Sequence, residues 1–152
     1  MTVEITNPGG APIDDKTICG LAEFLLANVG MGTAVELSVS FVAEPQMAEL
    51  HERWLDLPGP TDVLSFPMDE LTEPVADELV QAGILGDIVI CWPVAERQAE
   101  QAGHSTQAEV EVLLTHGVLH LLGNDHAEPE EATRMFARQA ALLEQYRERL
   151  PG

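Results

Sequence analysis

The chain has 152 residues, enough for one domain, residues 1–152, whose core needs neither disulfides nor a structural metal. Twenty-six acidic residues against seven basic ones give a formal charge of −19, which opposes non-specific attachment to nucleic acid or anionic membranes. The start, "MTVEITNPGG", lacks a signal-peptide pattern and no apolar run approaches bilayer length, so a cytoplasmic protein with no membrane partner is expected.

Alternation in "VEITN" predicts a short first strand, ended by the turn-forming "NPGGAP". Asp14 or Asp15 can then cap a helix to about Asn28 that buries Ile18, Leu21, Leu25 and Leu26. "AVELSVSFVAE" alternates over Val35, Leu37, Val39 and Phe41, the pattern of a half-buried second strand. Pro45 opens a short helix carrying Met47, Leu50 and Trp54.

"LDLPGP" breaks that helix, and "TDVLSFP" is a third strand framed by Pro60 and Pro67. Strict alternation there sets Asp62, Leu64 and Phe66 on one face and Val63 and Ser65 on the other. Residues 68–83 include the acidic "DELTEPVADEL" and read as a solvated loop with at most one helical turn. "ILGDIVICW" is a fourth strand, and Pro93 starts a helix to about Ala102.

Ser105 or Thr106, the latter with Glu109 three residues on, can cap an apolar helix from about Gln107 to Leu122 that Gly123 ends. Glu128 to Leu150 is a charged final helix with Met135, Phe136, Leu142 and Leu143 as its core face. Cys19 and Cys91 lie far apart in apolar segments and read as reduced, buried thiols. Four strands and five helices make the chain an α+β protein.

Three of the five histidines fall within eleven residues, in "HGVLHLLGNDH". His116 and His120 are four apart on the penultimate helix, so their rings project from one face at the spacing two ligands of one metal require. Gly123 can turn the chain back so that His126 swings toward them. The pattern H-x-x-x-H-x-x-G-x-x-H has the ligand spacing of the metzincin zinc proteases. Three imidazoles with no cysteine nearby favour one zinc ion in an open, catalytic site. Gly117, however, stands where H-E-x-x-H puts the peptidase's general base. Asp125, beside His126, is the nearest carboxylate for a base or for orienting an imidazole, with a plain turn role in "GND" as the alternative.

Together these residues resemble the YbeY endoribonucleases, or rRNA maturation factors. "HGVLHLLGNDH" is similar to the signature H-G-x-L-H-L-x-G-Y-D-H, while "PTDVLSFP" at 60–67 and "LGDIVIC" at 85–91 are similar to the family's other two motifs, in its order. The resemblance implies an α+β fold, with a small mixed four-stranded sheet against about five helices, and a zincin-like three-histidine site in which His116, His120 and His126 are the ligands. It also implies a single-strand-specific, metal-dependent endoribonuclease acting in maturation of the 16S rRNA 3′ end and in ribosome quality control.

Two departures stand out. The family usually has an arginine, considered functional, after the aromatic residue that precedes T-D-V-L-S-F-P; here Leu55 follows Trp54. Arg53, on the other side of Trp54, is the candidate replacement, although adjacent helical residues do not face the same way. Asn124 replaces a common tyrosine at a turn position that asparagine suits.

Lys and Arg normally supply phosphate affinity, and this chain has few; Arg134 and Arg138 form a small basic patch or pair with Glu130 and Glu131. The expected partners are therefore single-stranded rRNA together with the small ribosomal subunit or one of its proteins, which supplies much of the docking surface. Two rivals remain: a zinc protease, which Gly117 disfavours, and a non-catalytic ribosome-assembly module with a structural zinc.

Overall fold

A computed structural model describes residues 2–8, 10–125 and 127–149. In chain order the elements are β1 (Thr2–Thr6), α1 (Asp15–Asn28), β2 (Met31–Val42), α2 (Glu44–Leu55), β3 (Val63–Pro67), β4 (Val80–Cys91), α3 (Trp92–Ala102), α4 (Thr106–Leu121) and α5 (Pro129–Arg149). The four strands and five helices expected from periodicity are all present.

The strands form one mixed sheet in the order β1-β2-β4-β3. β1 and β2 run parallel, as do β2 and β4, while β3 pairs antiparallel to β4 from Val63↔Ile90 to Pro67↔Gly86. β3 is thus an edge strand. The expectation of a loop over residues 68–83 fails at its end, because β4 already begins at Val80, opposite Met31 of β2. Residues 80–83 do not alternate, and their strand conformation comes from pairing with a neighbour distant in sequence.

The pairing skips Leu85 between Glu36↔Ile84 and Leu37↔Gly86. At this irregularity Gly86 has φ 149°, and a Cβ on it would lie 2.3 Å from the Phe66 carbonyl oxygen and 2.9 Å from Leu121. The glycine of "LGDIVIC" therefore lets β3 and the end of α4 approach β4 closely.

The apolar sides of α1, α4 and α5 cover one face of the sheet, around Ile18, Leu25, Phe41, Ile88, Leu114 and Met135. A smaller cluster on β3, β4 and α2 joins Met47, Leu64, Val89 and Cys91. Asp14 caps α1, accepting from the Lys16 amide at 3.1 Å and the Thr17 hydroxyl at 2.8 Å. These bonds, the Thr17 hydroxyl first, hold its carboxyl below the usual range. Glu44 of α2 and Arg97 of α3 meet at 2.6 Å, and the guanidinium likewise lowers the Glu44 carboxyl.

Three details differ from the sequence expectations. Phe136 is 49% exposed rather than core, whereas Tyr146, three turns beyond Met135 and one beyond Leu142 along the stripe, is buried. Cys91 is buried but Cys19 is only partly so, donating to Glu23 at 3.2 Å. Burial, first of all, raises both thiols, which keeps them unreactive. Ser105, the first of the two cap candidates, does cap α4, but Glu109, expected to partner Thr106, instead meets His104 at 2.7 Å.

Candidate active site

α4 is anchored at its start by the Ser105 hydroxyl, which accepts from the Ala108 amide at 3.1 Å. Its buried residues, among them Leu114, Gly117, Val118 and Leu121, hold it against the sheet, so the registry of the helix is fixed where His116 and His120 occur. Their rings lie on one face with centroids 4.6 Å apart. This places two imidazoles within reach of one ion, as the i, i+4 spacing requires.

The helix ends as the glycine predicted. Gly123 has φ 91°, its amide bonds the His120 carbonyl at 3.0 Å, and the Asn124 amide bonds the Leu119 carbonyl at 3.0 Å. That is the Schellman pattern, in which a left-handed glycine satisfies the last carbonyls and reverses the chain. The Asn124 side chain also donates to Leu119 at 3.0 Å, a bond a tyrosine could not make. His126 lies outside the described residues, and among those described no three His, Cys, Asp or Glu side chains form a metal-sized group.

The partner that orients His116 has no signature in the local sequence. Gln139, 23 residues away on α5, sets Oε1 2.9 Å from His116 Nδ1. With the amide oxygen accepting from Nδ1–H, Nε2 is the lone-pair nitrogen, which is the tautomer a metal ligand needs. Phe136, one turn before Gln139, stacks on the same imidazole with centroids 6.0 Å apart and planes 20° apart. The chemistry of the donor set, two imidazoles on one face with an amide behind His116, fits a borderline cation such as zinc.

Gly117 faces the sheet. A Cβ there would come within 3.0 Å of Ile88, and its carbonyl lies 3.4 Å from the Ser65 hydroxyl of β3. The position that carries the general base in H-E-x-x-H proteases is here a packing contact between α4 and β4.

A cleft of about 780 Å³ opens beside edge strand β3. α2 contributes His51, Trp54 and Leu55; β3 and its approach contribute Asp62 and Ser65; α4 and α5 contribute His116, His120, Phe136 and Gln139. Asp62 and Ser65 thus reach the cleft, and Asp62 also accepts from the Val63 amide at 2.7 Å. His51 is fixed by its Nδ1, 2.9 Å from the Gly59 carbonyl. Arg53 does not line the cleft; its guanidinium sits 5.8 Å from the Trp54 ring centroid, while Leu55 takes the cleft wall. Asp125 is exposed in the turn after α4, also off the lining.

No Lys or Arg is among the described residues of the cleft, and its charged members besides histidine are Asp62 and Glu109. Several cations are engaged elsewhere. Arg138 pairs with Glu73 at 2.6 Å rather than with Glu130 or Glu131, tying α5 to the acidic loop, and Arg147 pairs with Glu111 at 3.2 Å.

The sequence profile of the family described as Endoribonuclease YbeY matches residues 12–147. A Thermobifida fusca protein of that name is 51% identical over 150 residues, covering 99% of this chain and 97% of its own. The chain belongs to the YbeY endoribonuclease family. A second relative of that name, from a Nocardioides species, is 49% identical over 149 residues, with 98% of this chain and all of its own length covered. In three dimensions the chain is similar to the solution structure of a Thermotoga maritima protein, with a TM-score of 0.63 and 28% identity over 94% of this chain and 87% of that one.

Proposed function

We propose that the chain is a zinc-dependent endoribonuclease that cuts single-stranded RNA and acts in maturation of the 16S rRNA 3′ end and in ribosome quality control. The observation that carries this reading is the His116–His120 pair, 4.6 Å apart and backed by Gln139, in a cleft of a YbeY-family chain. His116, His120 and His126 would hold one zinc ion. When bound, zinc supplies a Lewis acid for phosphoryl oxygen and lowers the pKa of water.

The protein's own groups have separate tasks. Gln139 fixes the His116 tautomer, and the Gly117–Ile88 contact holds α4 at its distance from β4. His51 and Asp62 line the cleft, where a proton can be accepted or returned. Asp125 and Arg53 remain candidate catalytic groups from the sequence, which a substrate would have to bring into use. The absence of Lys and Arg from the described lining of the cleft supports docking through the small ribosomal subunit or one of its proteins, which would supply the positive charge that RNA binding draws on. No described helix is long and apolar enough to cross a membrane, which accords with a cytoplasmic role.

The test is cleavage of a single-stranded rRNA 3′-end fragment with and without chelator, followed by analysis of the new ends. Chelation should abolish cutting and added zinc restore it. A 2′,3′-cyclic phosphate would mark attack by the 2′-hydroxyl, and linear ends would mark hydrolysis by water. One observation favours a second reading: the acidic cleft also suits a ribosome-assembly module with a structural zinc. In that case chelation lowers the melting temperature while no RNA is cut, even with small subunits present.

A further inference from the structure

The cleft poses a problem for a nuclease. Polynucleotide affinity ordinarily comes from cations on phosphates, yet the charged side chains other than histidine among its described lining residues are the acids Asp62 and Glu109. It offers exposed aromatic rings instead. Trp54 on α2 is 62% exposed and Phe136 on α5 is 49% exposed, in a chain with only seven aromatic residues of the Phe, Trp and Tyr types. Leaving rings of that size in water forgoes a substantial burial energy. Both are held in place: Trp54 packs edge-on to Phe66 at 6.2 Å, and Phe136 stacks on His116 at 6.0 Å.

We infer that Trp54 and Phe136 are nucleobase-stacking platforms, so that this protein grips RNA by its bases rather than by its phosphates. The inference rests on the nuclease reading above and adds how the substrate is held. Uncharged base faces suit an acidic cleft, and base–aromatic stacking tolerates any sequence. Phe136 lies against His116, so a base on Phe136 brings the adjoining phosphodiester to the histidines. The Arg53 guanidinium lies over the Trp54 ring, 5.8 Å from its centroid, so a base stacked on the indole carries its phosphate close to that cation. Duplex bases are not available for such stacking, which accounts for single-strand preference without a sequence-reading contact. Binding should also be nearly insensitive to salt, since each phosphate neutralised on a single strand adds only about 0.7 to the logarithmic slope.

The test is equilibrium binding of a labelled, uncleavable 2′-O-methyl RNA of about ten nucleotides to the full-length, zinc-loaded protein, against an abasic strand of equal length. Trp54→Leu and Phe136→Leu keep apolar bulk while removing the π face, and Trp54→Tyr restores one. The expected result is a salt slope of about 1 or less and tighter binding of the base-bearing strand. Each Leu variant should lose roughly 5- to 100-fold in affinity, with Trp54→Tyr recovering most of the loss at that position and with zinc content and melting temperature unchanged in Trp54→Leu. Leu variants that bind as wild type does, equal binding of the abasic strand, or a slope of about 2 or more overturns the inference while leaving the nuclease reading in place. If the Leu variants keep RNA binding but lose association with purified small subunits, the rim is a protein-docking surface and the inference fails. If wild type neither binds nor cuts RNA, the nuclease reading falls and takes the inference with it.

Discussion

Replacing Gln139 by leucine removes the acceptor 2.9 Å from His116 Nδ1 while keeping a side chain of similar size in the cleft wall. Two costs follow. The hydrogen bond itself contributes about 0.5–1.5 kcal/mol net. Beyond that, the imidazole loses the partner that selects its Nδ1–H tautomer, and outer partners of metal-bound histidines are generally worth 10- to 100-fold in metal affinity, or about 1.4–2.7 kcal/mol. Zinc affinity measured by competition with a chromogenic chelator should therefore fall 10- to 100-fold, with RNA cleavage at limiting zinc falling in step. Gln139→Glu keeps an acceptor on Nδ1 and should hold zinc at least as tightly as wild type. Because Gln139 is only partly buried, the metal-free melting temperature should move little. Unchanged zinc affinity in Gln139→Leu would refute the reasoning, since it would mean that His116 is not a ligand or that its tautomer is set by another group.

Three further outcomes are expected. Gly117→Glu recreates H-E-x-x-H in sequence, but its Cβ would press on Ile88 at 3.0 Å and its carboxylate would be buried without a partner at a cost of several kcal/mol; expression and circular dichroism should show little folded protein, and a folded, zinc-binding variant that hydrolyses casein would contradict the packing role. Gly86→Ala adds backbone strain of about 1–3 kcal/mol at φ 149° and a comparable overlap with the Phe66 carbonyl. At roughly 2–4 °C per kcal/mol the melting temperature should drop by about 5–20 °C, and a drop under about 1 °C would mean that the β3–β4 approach is looser than described. Leu55→Arg places a cation on the cleft wall, at the position where the family resemblance implies one, so single-stranded RNA should bind more tightly at low salt, with a slope steeper by about 0.7; an unchanged slope would show that no phosphate passes this position.

Local rules carried much of the reading, and their limits are visible residue by residue. The i, i+4 histidines and the glycine that ends their helix depend on helix geometry alone, so His116, His120 and the Gly123 turn could be read directly from spacing. Gln139 could not, because its distance to His116 is set by how α5 packs on α4, and a glutamine on a charged helix carries no signal of its own. Phe136 was assigned to the core for its hydrophobicity, yet it sits one residue off the buried Met135, about 100° around the helix. The start of β4 at residues 80–83 has no clear local signal, because pairing with Met31 and Ala34 of β2 imposes strand conformation on a stretch too short and weakly apolar to declare itself. The family motifs supplied what spacing could not, the mixed sheet, and they drew attention to position 55, which the fold brings to the cleft wall while Arg53 is off the lining.

The central claim is that the histidines hold a metal on which RNA cleavage depends. It is tested most directly by measuring zinc content and cleavage of a single-stranded rRNA 3′-end fragment on the same preparations of wild type and His116→Ala. The account predicts about one zinc per wild-type chain with cutting, and loss of both in the variant at an unchanged fold. Zinc bound without any cutting, even with small ribosomal subunits added, or a variant that still cuts as wild type does, would contradict it.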